Sequence, residues 1–118
     1  KEAYPPPPQI LQRLGVPPDK VQAFYRPPTQ PRQEPCSACG GMGYLGQVAL
    51  FELLVVTDVV RRQLLTDPNP EALRPVARKA GLKSFEDEGL LLVVKGVTSL
   101  QELARVLKDA PAKEAAAT

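Results

Sequence analysis

Ser84 to Lys108 reads S-F-E-D-E-G-L-L-L-V-V-K-G-V-T-S-L-Q-E-L-A-R-V-L-K. Two helix starts are written into it. Ser84 with Asp87 three residues on, and Ser99 with Glu102 three residues on, are capping-box signatures in which a hydroxyl serves the first free amides of a helix. Behind the second, Leu100, Leu103 and Leu107 share one face, while Gln101, Arg105 and Lys108 share the other. Behind the first lies Leu90-Leu91-Leu92-Val93-Val94, a run that periodicity alone does not divide into buried helix or buried strand. The capping box in front of it favours helix. Both leucine sets are expected in the core rather than in a partner groove.

Working toward the N-terminus, Asn69 can cap a helix with Pro70 at its first position. Leu73, Val76, Ala77 and Ala80 then keep the i, i+3, i+4, i+7 spacing until Gly81 stops the pattern. Pro75 inside it predicts a kink or a late start. Thr57 or Asp58 caps a shorter helix with Val60 and Leu64 one turn apart and Arg61 and Arg62 facing solvent, ended by Asp67-Pro68-Asn69-Pro70. Gln47 to Val56, Q-V-A-L-F-E-L-L-V-V, is short, apolar and preceded by Gly43 and Gly46, which predicts a mostly buried strand. Ten of the 14 prolines lie between Tyr4 and Pro35, leaving room only for short helices over Gln9 to Leu14 and Asp19 to Tyr25. Without a repeated P-x-x-P and flanking Arg, this segment reads as a linker with helix punctuation rather than a polyproline ligand. Ala110 to Thr118 has nothing to bury and is expected to be disordered. The expectation is thus a mainly α fold with a short β element: a Pro-rich segment over 1–35, a small helical domain over 36–108 and a tail over 109–118.

Composition limits what such a domain can do. Its 118 residues suit one small domain, and 43% hydrophobic residues with only 5% aromatics make the core aliphatic. A net charge of +2 marks out neither a nucleic-acid groove nor an anionic membrane surface. There is no His, which removes the commonest general base and every His-bearing metal site. Two Cys cannot frame a disulfide-stapled domain, and no apolar run reaches the roughly 18 residues of a membrane span. A soluble, reducing compartment is expected. The start on Lys1, without Met or a signal-like stretch, suggests a piece of a longer chain.

The local chemistry lies in Cys36-Ser37-Ala38-Cys39-Gly40-Gly41-Met42-Gly43. Two thiolates separated by two residues can grip one soft tetrahedral metal, and the glycines let the backbone fold back so that amides reach the sulfurs. Zinc is the natural candidate, with Cys36 and Cys39 as half of a four-ligand site, since the chain offers no further Cys or His. A thioredoxin-like redox pair would sit at a helix N-terminus, and a Gly-rich stretch is a poor helix start. An inert pair of cysteines is the third reading.

Taken together, these pieces resemble the C-terminal part of the type II secretion and type IV pilus assembly ATPases, the general secretory pathway protein E-like family. The resemblance rests on Cys36 to Cys39, then Gly43-Tyr44-Leu45-Gly46-Gln47, Phe51-Glu52-Leu53-Leu54, Asp58-Val59-Val60-Arg61, Gly81 to Gly89, and Gly96-Val97-Thr98-Ser99-Leu100-Gln101-Glu102 in order. It covers nearly all of Cys36 to Lys108. The family also carries an earlier C-x-x-C followed by a Lys-Glu-like pair and an aromatic residue, matched by Lys1-Glu2-Ala3-Tyr4. The resemblance therefore implies that the missing ligand pair lies just before Lys1 and that zinc closes the segment Lys1 to Pro35 as a loop.

It further implies an accessory end of a hexameric motor, packed on the RecA-like core and neighbouring subunits, working with inner-membrane platform proteins from the cytoplasmic face. ATP and Mg²⁺ would belong to the parent protein, because nothing here matches the phosphate-binding G-x-x-x-x-G-K-[ST] loop. Gln47 stands where the family has Arg. Strand geometry would put positions 47 and 52 on opposite faces. An alternative family match is the J-domain co-chaperones, whose C-x-x-C-x-G-x-G repeat Cys36 to Gly43 follows letter for letter. Those proteins use four such repeats and lack the helical region that follows here.

Overall fold

The computed structural model describes residues 1–30 and 33–109, so the expected disorder of Ala110 to Thr118 lies outside the described residues. A two-stranded antiparallel ribbon pairs β1 (Glu2–Tyr4) with β2 (Phe24–Arg26), in the register Glu2 opposite Arg26 and Tyr4 opposite Phe24. Between the strands come α1 (Pro8–Leu14) and a single 3₁₀ turn, Pro18–Lys20; after them come α2 (Asp58–Thr66), α3 (Pro70–Lys79), α4 (Phe85–Val94) and α5 (Leu100–Asp109). The fold is mainly α with a short β element.

The chain divides into two compact units. One holds Lys1–Ala49 together with the chain from Gly89 onward, and the other holds Leu50–Glu88. The first unit buries Leu11, Val21, Phe24, Leu90, Val93 and Leu103, with Phe24 and Val93 fully enclosed. In the second, α2 and α3 pack together, with Val60 and Ala77 buried.

Most of the helices follow from their ends. Thr57 Oγ1 accepts the Val60 amide, and Asn69 Oδ1 accepts the Glu71 amide, each serving a first-turn N–H that has no partner inside its helix. Ser84 caps α4 as expected, the Asp87 amide donating to Ser84 Oγ at 3.2 Å, and that hydroxyl donates to Asp87 Oδ2 at 2.8 Å. Leu90 to Val94 is helical, and α4 closes with the Val97 amide on the Leu92 carbonyl and the Gly96 amide on the Val93 carbonyl. That pairing is a Schellman motif, and it puts Gly96 at φ +69°, where a side chain is strained. In α5, Leu103 is buried and Leu100 and Leu107 are half-buried, with Gln101, Arg105 and Lys108 exposed, as the spacing predicts.

Three expectations are corrected. The β element is not Gln47 to Val56: that stretch forms neither strand nor helix, and Val48, Phe51, Leu53, Val55 and Val56 are exposed. Its branched apolar residues favour a strand only where a neighbour supplies the other half of the ladder, and none does among the described residues. The helix expected over Asp19 to Tyr25 is confined to the 3₁₀ turn, after which Phe24 to Arg26 is extended. Pro27 disfavours helical geometry at Arg26, and the aromatic pair Phe24 and Tyr25 prefers a strand. Pro75 neither delays nor ends α3, which starts at Pro70 and runs to Lys79. Its missing N–H would have met the carbonyl of Glu71, an exposed residue where water can take that place.

Candidate functional site

Cys36 to Gly43 folds as a tight turn stitched by its own amides. The Gly40 N–H donates to the Cys36 carbonyl at 2.8 Å and the Met42 N–H to the Cys39 carbonyl at 3.1 Å. The Gly43 N–H donates to Cys39 Sγ at 3.3 Å. Gly43 has φ +83°, and a Cβ there would lie 2.6 Å from Pro27 Cβ, so the turn seats directly on the residue that follows β2. Cys36 is exposed and Cys39 half-buried.

The ribbon places a second feature beside this turn. Because Glu2 faces Arg26, the N-terminal end of β1 lies next to the Pro27 end of β2, which is the end the Cys turn packs on. Among the described residues no group of three or more His, Cys, Asp or Glu surrounds a common point. Cys36 and Cys39 offer two sulfur donors, the kind of ligand that zinc prefers.

The Lys-Glu-aromatic start is structural. Glu2 accepts the Thr29 amide at 2.9 Å and the Thr29 hydroxyl, and pairs with Arg26 Nε at 3.3 Å. These contacts, the Thr29 amide first, hold its carboxyl below the ordinary value. Lys1 Nζ donates to the Gly96 carbonyl at 3.0 Å, just past the end of α4 where the helix dipole favours a cation. Tyr4 stacks edge-on against Phe24, with the Arg26 guanidinium over its ring; burial raises its pKa despite that nearby cation.

Two further motif residues meet at α5. Tyr44 Oη lies 2.5 Å from Ser99 Oγ, and that oxygen also accepts the Glu102 amide at 3.2 Å. Ser99 is 1% exposed and carries the N-cap of α5. Tyr25 presses on Gly96, where a Cβ would meet its ring at 3.1 and 3.3 Å. The turn between α4 and α5 is thus held by Lys1 ahead of β1, Tyr25 of β2 and Tyr44 after the Cys turn. Farther along α5, Arg105 bonds Glu102 at 2.6 and 3.0 Å and lowers the pKa of that carboxyl.

Sequence reading located Cys36 and Cys39 and the capping role of Ser99, but missed the partner of Tyr44. It also missed Glu52, whose Oε1 accepts the Phe85 amide at 3.0 Å and so serves the first residue of α4. Nothing local signals a cap supplied from 33 positions away. Gln47 is exposed and outside regular structure, so the two-faced strand expected for positions 47 and 52 is not present. Arg61 pairs with Asp58 at 2.7 Å on an exposed surface, a solvated face as expected.

The family model described as type II/IV secretion system protein matches residues 10–105. The chain is 34% identical over 106 residues to the type IV pilus assembly ATPase PilB of Thermus thermophilus, covering 87% of this chain and 11% of that protein. It is 37% identical over 75 residues to the type II secretion system protein HxcR of Pseudomonas aeruginosa, covering 64% and 16%. With the type II secretion system protein E of Xanthomonas campestris the identity is 30% over 112 residues, covering 92% and 18%. The chain spans less than a fifth of the length of each of these relatives. The match runs through all of α2, α3 and α4 and most of α5, the helical region for which a co-chaperone repeat has no counterpart. A chain with this motif order, these helices and these relatives belongs to the type II/IV secretion system protein family.

Proposed function

We propose that this chain is the C-terminal accessory part of a hexameric secretion or pilus assembly ATPase, contributing packing and coupling rather than a nucleotide site of its own. The family relationship supports the ATPase setting. The observation that carries the local role is the seating of the Cys36–Gly43 turn beside the N-terminal end of β1. A C-x-x-C immediately ahead of Lys1 would emerge at that same end and complete a four-thiolate zinc site with Cys36 and Cys39. Zinc, when bound, supplies a redox-inert tetrahedral cross-link. The chain's own contribution is the two thiols, the Gly43 amide on Cys39 Sγ, and a ribbon that brings the two halves together.

The exposed stretch Val48 to Val56 is the surface for the RecA-like core of the parent. Phe51 and Leu53 are more than 70% exposed, apolar surface of a kind that a partner covers. ATP and Mg²⁺ are bound by that core, and the assembly works at the cytoplasmic face of the inner membrane with the platform proteins of the secretion or pilus machine. Among the described residues no helix is long and apolar enough to cross a membrane.

The test uses the full-length parent protein. Metal analysis should find one zinc per protomer, lost in Cys36→Ser/Cys39→Ser, with reduced ATPase turnover in the variant. Metal-free wild-type protein overturns the zinc role. Robust ATP hydrolysis by this 118-residue chain alone overturns the accessory role.

A further inference from the structure

We infer that Tyr44 is a positioning residue that couples metal occupancy of the Cys36/Cys39 turn to the N-terminus of α5; this rests on the zinc reading above. Tyr44 is the residue after Gly43, and Gly43 is confined on two sides: its amide donates to Cys39 Sγ, and Pro27 lies so near that a Cβ on Gly43 would be 2.6 Å from Pro27 Cβ. The backbone leaving the sulfur therefore sets where the Tyr44 side chain begins. At its other end the Tyr44 hydroxyl bonds Oγ of Ser99, a residue that is 1% exposed and whose hydroxyl already holds the Glu102 amide. The path from Sγ to the α5 cap is Cys39, the Gly43 amide, Tyr44 and Ser99.

A metal on Cys39 fixes the sulfur as a thiolate and tightens its grip on the Gly43 amide, because a hydrogen bond to a charged acceptor is roughly twice as strong as a neutral one. That restrains Tyr44 and, through it, the Ser99 rotamer that caps α5. The effect runs in both directions, since whatever the metal contributes to the α5 cap the cap must return to metal affinity.

The experiment is hydrogen exchange at the α5 amides of the full-length protein, with and without a zinc chelator, combined with chelator-competition titration of zinc alone. In the wild type, removing zinc is expected to speed exchange at the Glu102 and Leu103 amides by about three- to tenfold, the scale of one hydrogen bond. In Tyr44→Phe, which keeps the ring and drops only the hydroxyl, that zinc dependence disappears and zinc affinity falls by the same factor. A merely structural hydroxyl would raise α5 exchange equally with and without zinc and leave affinity unchanged. If wild-type protein binds zinc but its α5 exchange ignores chelation, or if Tyr44→Phe keeps wild-type affinity, the coupling is refuted while the zinc site stands. If wild-type protein binds no zinc, both fall together.

Discussion

Gly89 lies in the interior of α4 and is buried, and a Cβ at that position would run into the Leu103 side chain of α5: one methyl overlaps it, the other lies 3.1 Å away and Cγ 3.2 Å away. Replacing a helical Gly by Ala ordinarily stabilises by about 1 kcal/mol, because alanine loses less backbone freedom on folding. Here the new methyl must displace Leu103, which is only 5% exposed and has little room to rotate away. Overpacking of this kind costs about 1–3 kcal/mol, so Gly89→Ala should destabilise by about 1 kcal/mol after the helix gain is subtracted. The sign in a second background is more decisive than the size. Leu103→Ala alone removes a buried leucine and should cost about 2–5 kcal/mol. In that background the obstruction is gone, so adding Gly89→Ala should stabilise by about the 1 kcal/mol of helix propensity, giving a coupling of about 2 kcal/mol. Native-state hydrogen exchange at α4 and α5 amides in the full-length protein reads the local opening free energies without assuming one global transition. If Gly89→Ala stabilises equally in both backgrounds, the close approach of α4 to α5 at this point is refuted.

Glu52→Ala should fray the first turn of α4 by about 0.5–2 kcal/mol, as for a lost helix cap, seen as faster exchange of the Phe85 amide, while Glu52→Gln keeps an acceptor and loses less; equal exchange in all three proteins would contradict the cap. Gly43→Ala combines a strained φ with a clash on Pro27, and zinc titration should show about a five- to thirtyfold loss of affinity, corresponding to roughly the 1–2 kcal/mol of left-handed strain. Unchanged affinity would mean that the turn does not need its present backbone. The Glu2 carboxyl should titrate below its ordinary value of 4.5. Its clasp on Thr29 adds stability that is complete above that value and is lost as pH falls through the lower folded midpoint. A Glu2 midpoint at or above 4.5 by NMR would remove the clasp from the ribbon's account.

What could be read from the sequence was whatever is encoded within one helical turn. The caps at Thr57, Asn69, Ser84 and Ser99 and the stop at Gly81 are local, and a helix begins or ends at each of them. Leu90 to Val94, ambiguous by periodicity, was decided by the capping box in front of it. The ribbon was hidden because three residues per strand are too few to show alternation, and prolines on both sides mask its aromatic residues. Gln47 to Val56 was misread for the opposite reason: its composition describes a surface that a neighbour must complete. The cysteine spacing disclosed the two thiols of the candidate site. The contacts that support them, Tyr44 on Ser99 and Lys1 on Gly96, join positions 55 and 95 apart and leave no local trace.

The bare stretch from Phe51 to Val56 has a consequence for handling. F-E-L-L-V-V carries one charge and no proline, its backbone is outside regular structure, and four of its five apolar side chains are exposed. Such a window is a template for cross-β stacking between copies. Separated from whatever covers it, the chain is expected to be limited by colloidal stability before it is limited by unfolding, so that its solubility falls with concentration at temperatures where its helices are intact. A single lysine at Phe51 or Leu53 would act as a gatekeeper against that stacking without touching a cap, a buried residue or a thiol.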